Sequence, residues 1–122
     1  MIFEKLANSA NFIQSVKSTS PDVGIILGSG LGAFVDSIKD PTIIPYKDIP
    51  HFHETSVEGH EGRLILGNIG GVEVVALQGR IHAYEGHSME EIVFPTRVLA
   101  TLGIKSLILT NAAGGINTKF SS

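Results

Sequence analysis

The chain has 122 residues, no cysteine and a formal net charge of -3 at pH 7. That length suffices for one domain with its own core, and the missing thiols exclude a disulfide framework and thiolate chemistry, which fits a reducing cytoplasm. The acidic balance argues against a broad nucleic-acid surface but permits a local anion site built from a few positioned donors. The opening stretch MIFEKLANSANFIQSVKS carries Glu4 and Lys5 among its apolar positions, the pattern of neither a signal peptide nor a membrane anchor.

In chain order, Phe3, Leu6, Ala7, Ala10, Ile13 and Val16 recur at helical spacing and predict an amphipathic helix ending before Pro21. Val23 to Leu27 is a short continuous apolar run closed by glycines, the signature of a strand buried on both faces. Gly28-Ser29-Gly30-Leu31-Gly32 turns the chain into a brief helix from about Leu31 to Ile38 that Asp40-Pro41 stops, with a marginal extended piece from Thr42 to Tyr46. Asp48 to Gly62 reads as loop. Arg63 to Ile69 and Val72 to Leu77 are β-rich runs joined at Gly70-Gly71, a hairpin signal because both glycines tolerate positive φ. Met89, Ile92, Val93, Thr96, Val98, Leu99 and Leu102 predict a second helix, bent by Pro95, with Ser88 as N-cap, Glu91 completing a capping box and Gly103 just past its end. Ser106 to Thr110 is a last strand of buried type. Strands interleaved with helices, plus one hairpin, define an α/β class with a mixed, largely parallel central sheet, residues 1–122 forming one unit.

Three polar or glycine-rich segments follow strands: Gly28 to Gly32, Gly79 to His87 and Asn111 to Gly115. Ligands of open α/β sheets sit beyond the carboxyl ends of strands, so these segments locate a site. The first offers backbone N–H groups beside a helix start, which suits an oxyanion, and reads equally as a tight turn. Gly28, Gly30 and Ala33 also satisfy G-x-G-x-x-A with Asp48 twenty residues on, a dinucleotide-binding alternative that Pro41, Pro45 and Pro50 weaken by interrupting the crossover helix and strand it needs. In an extended chain Arg80, His82 and Tyr84 project on one side, a guanidinium fork for phosphate, an imidazole for proton movement and a phenol for a sugar, with Glu85 placed to orient an imidazole. Asn111 to Gly115 supplies backbone donors and one amide. His51, His53 and His60 with Glu54, Glu58 and Glu61 lack regular ligand spacing, so no metal is expected, while His60, between glycines, is free to reach a bound anion. His87 has no assigned role.

Taken together, GIILGSGLG, IPHF, V-x-GHEGRL, QGRIHAYEGH, FPTRV and TNAAGG resemble, in order and spacing, the trimeric purine nucleoside phosphorylases. The resemblance runs from about Val23 to the end of the chain. It implies phosphorolysis of a purine ribonucleoside or deoxyribonucleoside to free base and pentose 1-phosphate. Matching positions imply phosphate contacts at Ser29, His60, Arg80 and the Ala112 N–H, a catalytic histidine at His82 and a ribose-stacking tyrosine at Tyr84. They further imply a nucleoside pocket along Asn111, Ala113 and Gly114, with Glu85 supporting a histidine. No cofactor is implied, since inorganic phosphate is a co-substrate. The implied partners are nucleoside, phosphate and two further subunits, in the cytoplasm, without nucleic acid or membrane. The family chain is roughly twice this length, and the base-reading residues lie in the part that this sequence does not match. The expectation is the phosphate and ribose half of a phosphorylase, inactive alone, with a noncatalytic phosphate- or partner-binding fragment and a dinucleotide-binding oxidoreductase as alternatives.

Overall fold

Leu64, Leu66, Val75 and Leu77 alternate along two neighbouring strands with Ile65, Val74 and Ala76, and all seven are buried. A sheet apolar on both faces has to be covered on both, and that requirement organises the molecule. The computed structural model describes residues 2–27, 32–52, 62–79 and 89–110. Helix α1 (Ile2–Val16) leads to β1 (Val23–Leu27), a 3-10 turn (Gly32–Ser37), β2 (Lys39–Pro45), a second 3-10 turn (Tyr46–Asp48), β3 (Arg63–Ile69), β4 (Val72–Gln78), α2 (Met89–Thr101) and β5 (Ser106–Leu109).

The five strands form one mixed sheet in the order β2-β3-β4-β1-β5. β1 lies parallel to both β4 and β5, whereas β2 and β4 run antiparallel to β3. The hairpin turn at Gly70 and Gly71 has φ of 59° and 85°, the left-handed pair that a two-residue turn needs to match strand twist. Gly103 (φ 97°) ends α2 as expected, and its N–H reaches the Ala100 carbonyl at 3.0 Å.

On one face, Leu6, Ala10 and Ile13 of α1 and Phe94, Val98, Leu99 and Leu102 of α2 pack on Ile26, Ile44, Leu64, Leu66, Val75 and Leu77. On the other, Ile25, Leu27, Ile65, Val74 and Ala76 pack with Ile38 and the half-buried Val35 of the 3-10 segment. α1 is rotated from the expected stripe. Phe3, Ala7 and Val16 are exposed, while Ser9 is fully buried, because its hydroxyl donates to the Pro50 carbonyl at 2.5 Å and so enters the interface satisfied.

Two further expectations change. Asp40-Pro41 does not end an element: β2 runs through it from Lys39, with a register shift between Lys39 and Thr42 and Asp40 at φ 52°. β2 is an edge strand, where a bulge and a residue without an N–H are tolerated. β5 reads as a buried strand in sequence, yet all four of its residues are exposed. It sits at the other edge, where β1 is its one neighbour among the described residues.

Candidate functional site

Strand direction decides where the chain's polar segments leave the sheet. β1, β4 and β5 are mutually aligned, and β2, through two antiparallel steps, points the same way. One row of cross-strand partners closes that end: Pro45 opposite Arg63, Arg63 opposite Gln78, Gln78 opposite Leu27. Next to it, the Thr110 N–H and hydroxyl both donate to the Ile26 carbonyl at 3.0 Å, carrying β5's alignment to its last turn. The connections that follow β1, β4 and β5, and the one joining β2 to β3, therefore all start from this single end. It is the carboxyl end of the parallel strands, the usual ligand edge of an open α/β sheet.

Several described contacts brace that edge. Gly62 leads into β3 and its carbonyl accepts the Tyr46 N–H at 3.0 Å. A Cβ on Gly62 would overlap the Tyr46 ring, so this close approach requires glycine. Tyr46 is almost fully buried, and burial pushes its phenol well above the usual range. Its ring packs on Phe52 at 5.2 Å between centroids, and Phe52 meets Phe94 edge-on at 6.0 Å. The segment after β2 is thereby tied to α2. His51, at φ 69°, is exposed, shares a 3.4 Å contact with the Asn8 amide and lies edge-on to Phe94. Arg63 is half-buried, and both its Nε and its Nη2 donate to Gln78 Oε1, at 2.9 and 2.5 Å. Gly79 follows at φ 97°, turning the chain as it leaves β4.

All ten side chains or backbone donors expected in the site, Ser29, His60, Arg80, His82, Tyr84, Glu85, Asn111, Ala112, Ala113 and Gly114, lie outside the described residues, as does the Ser88 cap. What the described residues establish is the common origin of their segments. Ser29 lies two residues beyond Leu27, Arg80 two beyond Gln78, Asn111 two beyond Leu109 and His60 three before Arg63. Arg63 and Gln78 lie within the quoted motifs V-x-GHEGRL and QGRIHAYEGH but carry no expected role of their own. Their register in the hairpin is what pairs them, and Gly70-Gly71 was the available signal. The dinucleotide alternative does not survive the topology. The strand after the first glycine loop is β2, separated from β1 by β4 and β3, and a 3-10 turn replaces the crossover helix, so Asp48 is not carried to the neighbour of β1 as that motif demands. Among the described residues no cluster of three histidine, cysteine or carboxylate side chains could hold a metal, and no helix is long and apolar enough to cross a membrane.

This arrangement is that of a nucleoside-type phosphorylase sheet, and the chain belongs to the phosphorylase superfamily, whose family model matches residues 22–122. Within it, the chain is 51% identical over 117 residues to purine nucleoside phosphorylase 1 of Bacillus subtilis, covering 96% of this chain and 43% of that protein. The crystal structure of isoform 2 of purine nucleoside phosphorylase from Schistosoma mansoni, in complex with cytosine and ribose-1-phosphate, is 49% identical. It superposes with a TM-score of 0.84 over 96% of this chain and 41% of that one. A further purine nucleoside phosphorylase structure from the same organism, in complex with inosine, matches with a TM-score of 0.83 at 47% identity, over 94% of this chain and 40% of that one. The chain thus spans about two fifths of the length of these relatives.

Proposed function

We propose that this chain forms the phosphate and ribose side of a purine nucleoside phosphorylase, the enzyme that converts a purine nucleoside and phosphate to free base and pentose 1-phosphate. The observation that carries the reading is the single sheet end from which the Ser29, His60, Arg80-to-Glu85 and Asn111-to-Gly114 segments all depart. Support comes from relatives crystallised with ribose-1-phosphate and with inosine.

In this reading the glycosidic C–N bond breaks toward an oxocarbenium-like sugar while a phosphate oxygen forms the new bond to the anomeric carbon. The base leaves with the bonding electron pair and takes up a proton. A phosphate dianion held beneath the sugar stabilises the developing positive charge and serves as nucleophile, so the protein's work is placement. Arg80, Ser29, His60 and the Ala112 N–H hold the phosphate oxygens, and His82 stands between phosphate and ribose, oriented by Glu85. Tyr84 packs over the sugar and excludes water that would compete with phosphate. Asn111, Ala113 and Gly114 line the nucleoside. The chemistry calls for no cofactor. The whole enzyme is read as a cytoplasmic homotrimer, and these 122 residues alone as able to bind phosphate and ribose 1-phosphate without turning over inosine.

Calorimetric titration of the 122-residue chain with phosphate, ribose 1-phosphate and NAD tests this. Binding of the first two, abolished by Arg80→Ala, with no response to NAD, is the expected result. Uptake of NAD alone, or indifference to all three ligands, would remove the reading. Robust inosine phosphorolysis by a sample whose intact mass matches 122 residues would contradict the division of labour but keep the family.

A further inference from the structure

Tyr46 is only 2% exposed, yet among the described residues its hydroxyl has no hydrogen-bond partner. Both hydrogen bonds of this residue are main-chain, from its N–H to the Gly62 carbonyl and from the Ile49 N–H to its own carbonyl. A buried hydroxyl of this kind is desolvated without compensation, a cost that a phenyl ring in the same space would not carry. The position nevertheless joins two parts of the chain. Its ring packs on Phe52 and lies so close to Gly62 that a Cβ there would overlap it. Phe52 and Gly62 flank the connection from β2 to β3, so both ends of that connection close on one tyrosine.

The rest of the segment is tied down at few points. Tyr46, Ile49 and Phe52, three residues apart, are buried in the core shared with α1 and α2, while Lys47, Asp48 and His51 are exposed. None of the seven residues from Tyr46 to Phe52 belongs to a strand. The Phe52 N–H bonds within the segment, to the Ile49 carbonyl at 3.2 Å. Outward, among the described residues, the segment has the Tyr46–Gly62 bond, the Ser9 hydroxyl on the Pro50 carbonyl and the contact of His51 with Asn8. His51 at φ 69° also holds a left-handed conformation that a residue with a Cβ adopts at a cost. Few cross-element hydrogen bonds, local strain and an uncompensated polar group all lower the free energy of local opening relative to that of the sheet.

We propose that Tyr46 to Phe52 is a latch at the carboxyl end of the parallel strands: it opens as a unit while β1, β3 and β4 stay paired, and the orphaned Tyr46 hydroxyl, which regains water on opening, sets how readily it does so. Opening frees Phe52 and Gly62 together, and with them both ends of the β2-to-β3 connection. The inference goes beyond the phosphorylase reading and does not depend on it, since it rests on the packing and hydrogen bonds of the latch itself.

The test is native-state hydrogen exchange of the 122-residue chain, read residue by residue over a range of urea concentrations below the unfolding transition. The amides of Tyr46, Ile49 and Phe52 report the latch, and those of Leu64, Leu66, Val75 and Leu77 report the sheet. The latch amides are expected to be protected at least about a hundredfold less than the sheet amides and to respond little to urea, because opening the latch exposes little surface. Tyr46→Phe, which removes the hydroxyl and keeps the ring, is expected to raise the protection of Ile49 and Phe52 about tenfold. One common protection factor and one urea dependence for latch and sheet would mean that the segment opens only with global unfolding, and would overturn the inference. So would unchanged or lowered protection in Tyr46→Phe, or a variant less stable than the unsubstituted chain, since either result means that the hydroxyl is satisfied in the closed state.

Discussion

Glu73 shows how much one half-buried carboxylate organises at the opposite end of the sheet. It accepts the Thr19 hydroxyl at 2.6 Å and the Ser20 N–H, pinning the link between α1 and β1. The Thr19 bond first, then the Ser20 N–H, hold its carboxyl below the ordinary value of 4.5; burial opposes them, and the nearby charge of Lys17 adds the least. A carboxylate depressed in the folded state contributes stability that is complete above its unfolded value and is lost as pH falls through its folded value. The melting temperature of the unsubstituted chain should therefore fall on acidification below about pH 4.5 more steeply than that of Glu73→Gln; parallel melting curves across that range would show that the clamp is inert. At this scale the sequence was partly legible. Thr19 and Ser20 look like ordinary loop residues until β4 brings Glu73 beside them, and Ser9 was missed because a serine in a helical stripe carries no sign of the Pro50 carbonyl it meets. The pairing of Arg63 with Gln78 was hidden for the same reason, each being meaningful only beside the other.

Among the elements, α2 has the most consequential packing. Leu99 is fully buried between the sheet and α1, and its Cδ1 lies close to where a Cβ on Gly24 would project, so helix and strand approach without a gap. Leu99→Ala should cost about 2–5 kcal/mol by transfer and cavity formation, measured as a lowered midpoint in urea; a change under about 1 kcal/mol would mean that the helix does not dock as described. α2, β1, β3 and β4 were readable because their patterns are strong and local: continuous apolar runs closed by glycines, a helical stripe with Gly103 beyond it, a two-glycine turn. β2 was read as too short, since its bulge at Asp40-Pro41 imitates a stop. β5 was assigned the wrong burial, since an apolar run records what a strand is made of and not which neighbours it has. The order of strands, with β1 between two later ones, leaves no trace in local pattern at all, and neither does the gathering of four loops at one end that follows from it.

At the scale of the whole molecule, the uneven coverage of the sheet matters most. β5 exposes Leu107, Ile108 and Leu109 by 39%, 42% and 37%, and no strand among the described residues pairs with its outer side. An apolar, uncharged edge of this kind is a template for another chain. The 122-residue chain on its own should therefore self-associate with rising concentration, and Ile108→Lys should shift sedimentation toward monomer; a compact monomer at all concentrations would show that the edge is protected. The position of β1 has a consequence of another kind, during synthesis. Its partners are made long after it, about fifty residues later for β4 and about eighty for β5. At about 5–20 residues per second, β1 emerges from the ribosome and waits roughly 3–10 seconds before β4 exists. The β3-β4 hairpin closes within microseconds of its own completion, so it forms first and presents the free side of β4 as the surface that captures β1. The strand that begins the sheet is among the last to join it, and until then VGIIL is an apolar segment in want of a chaperone.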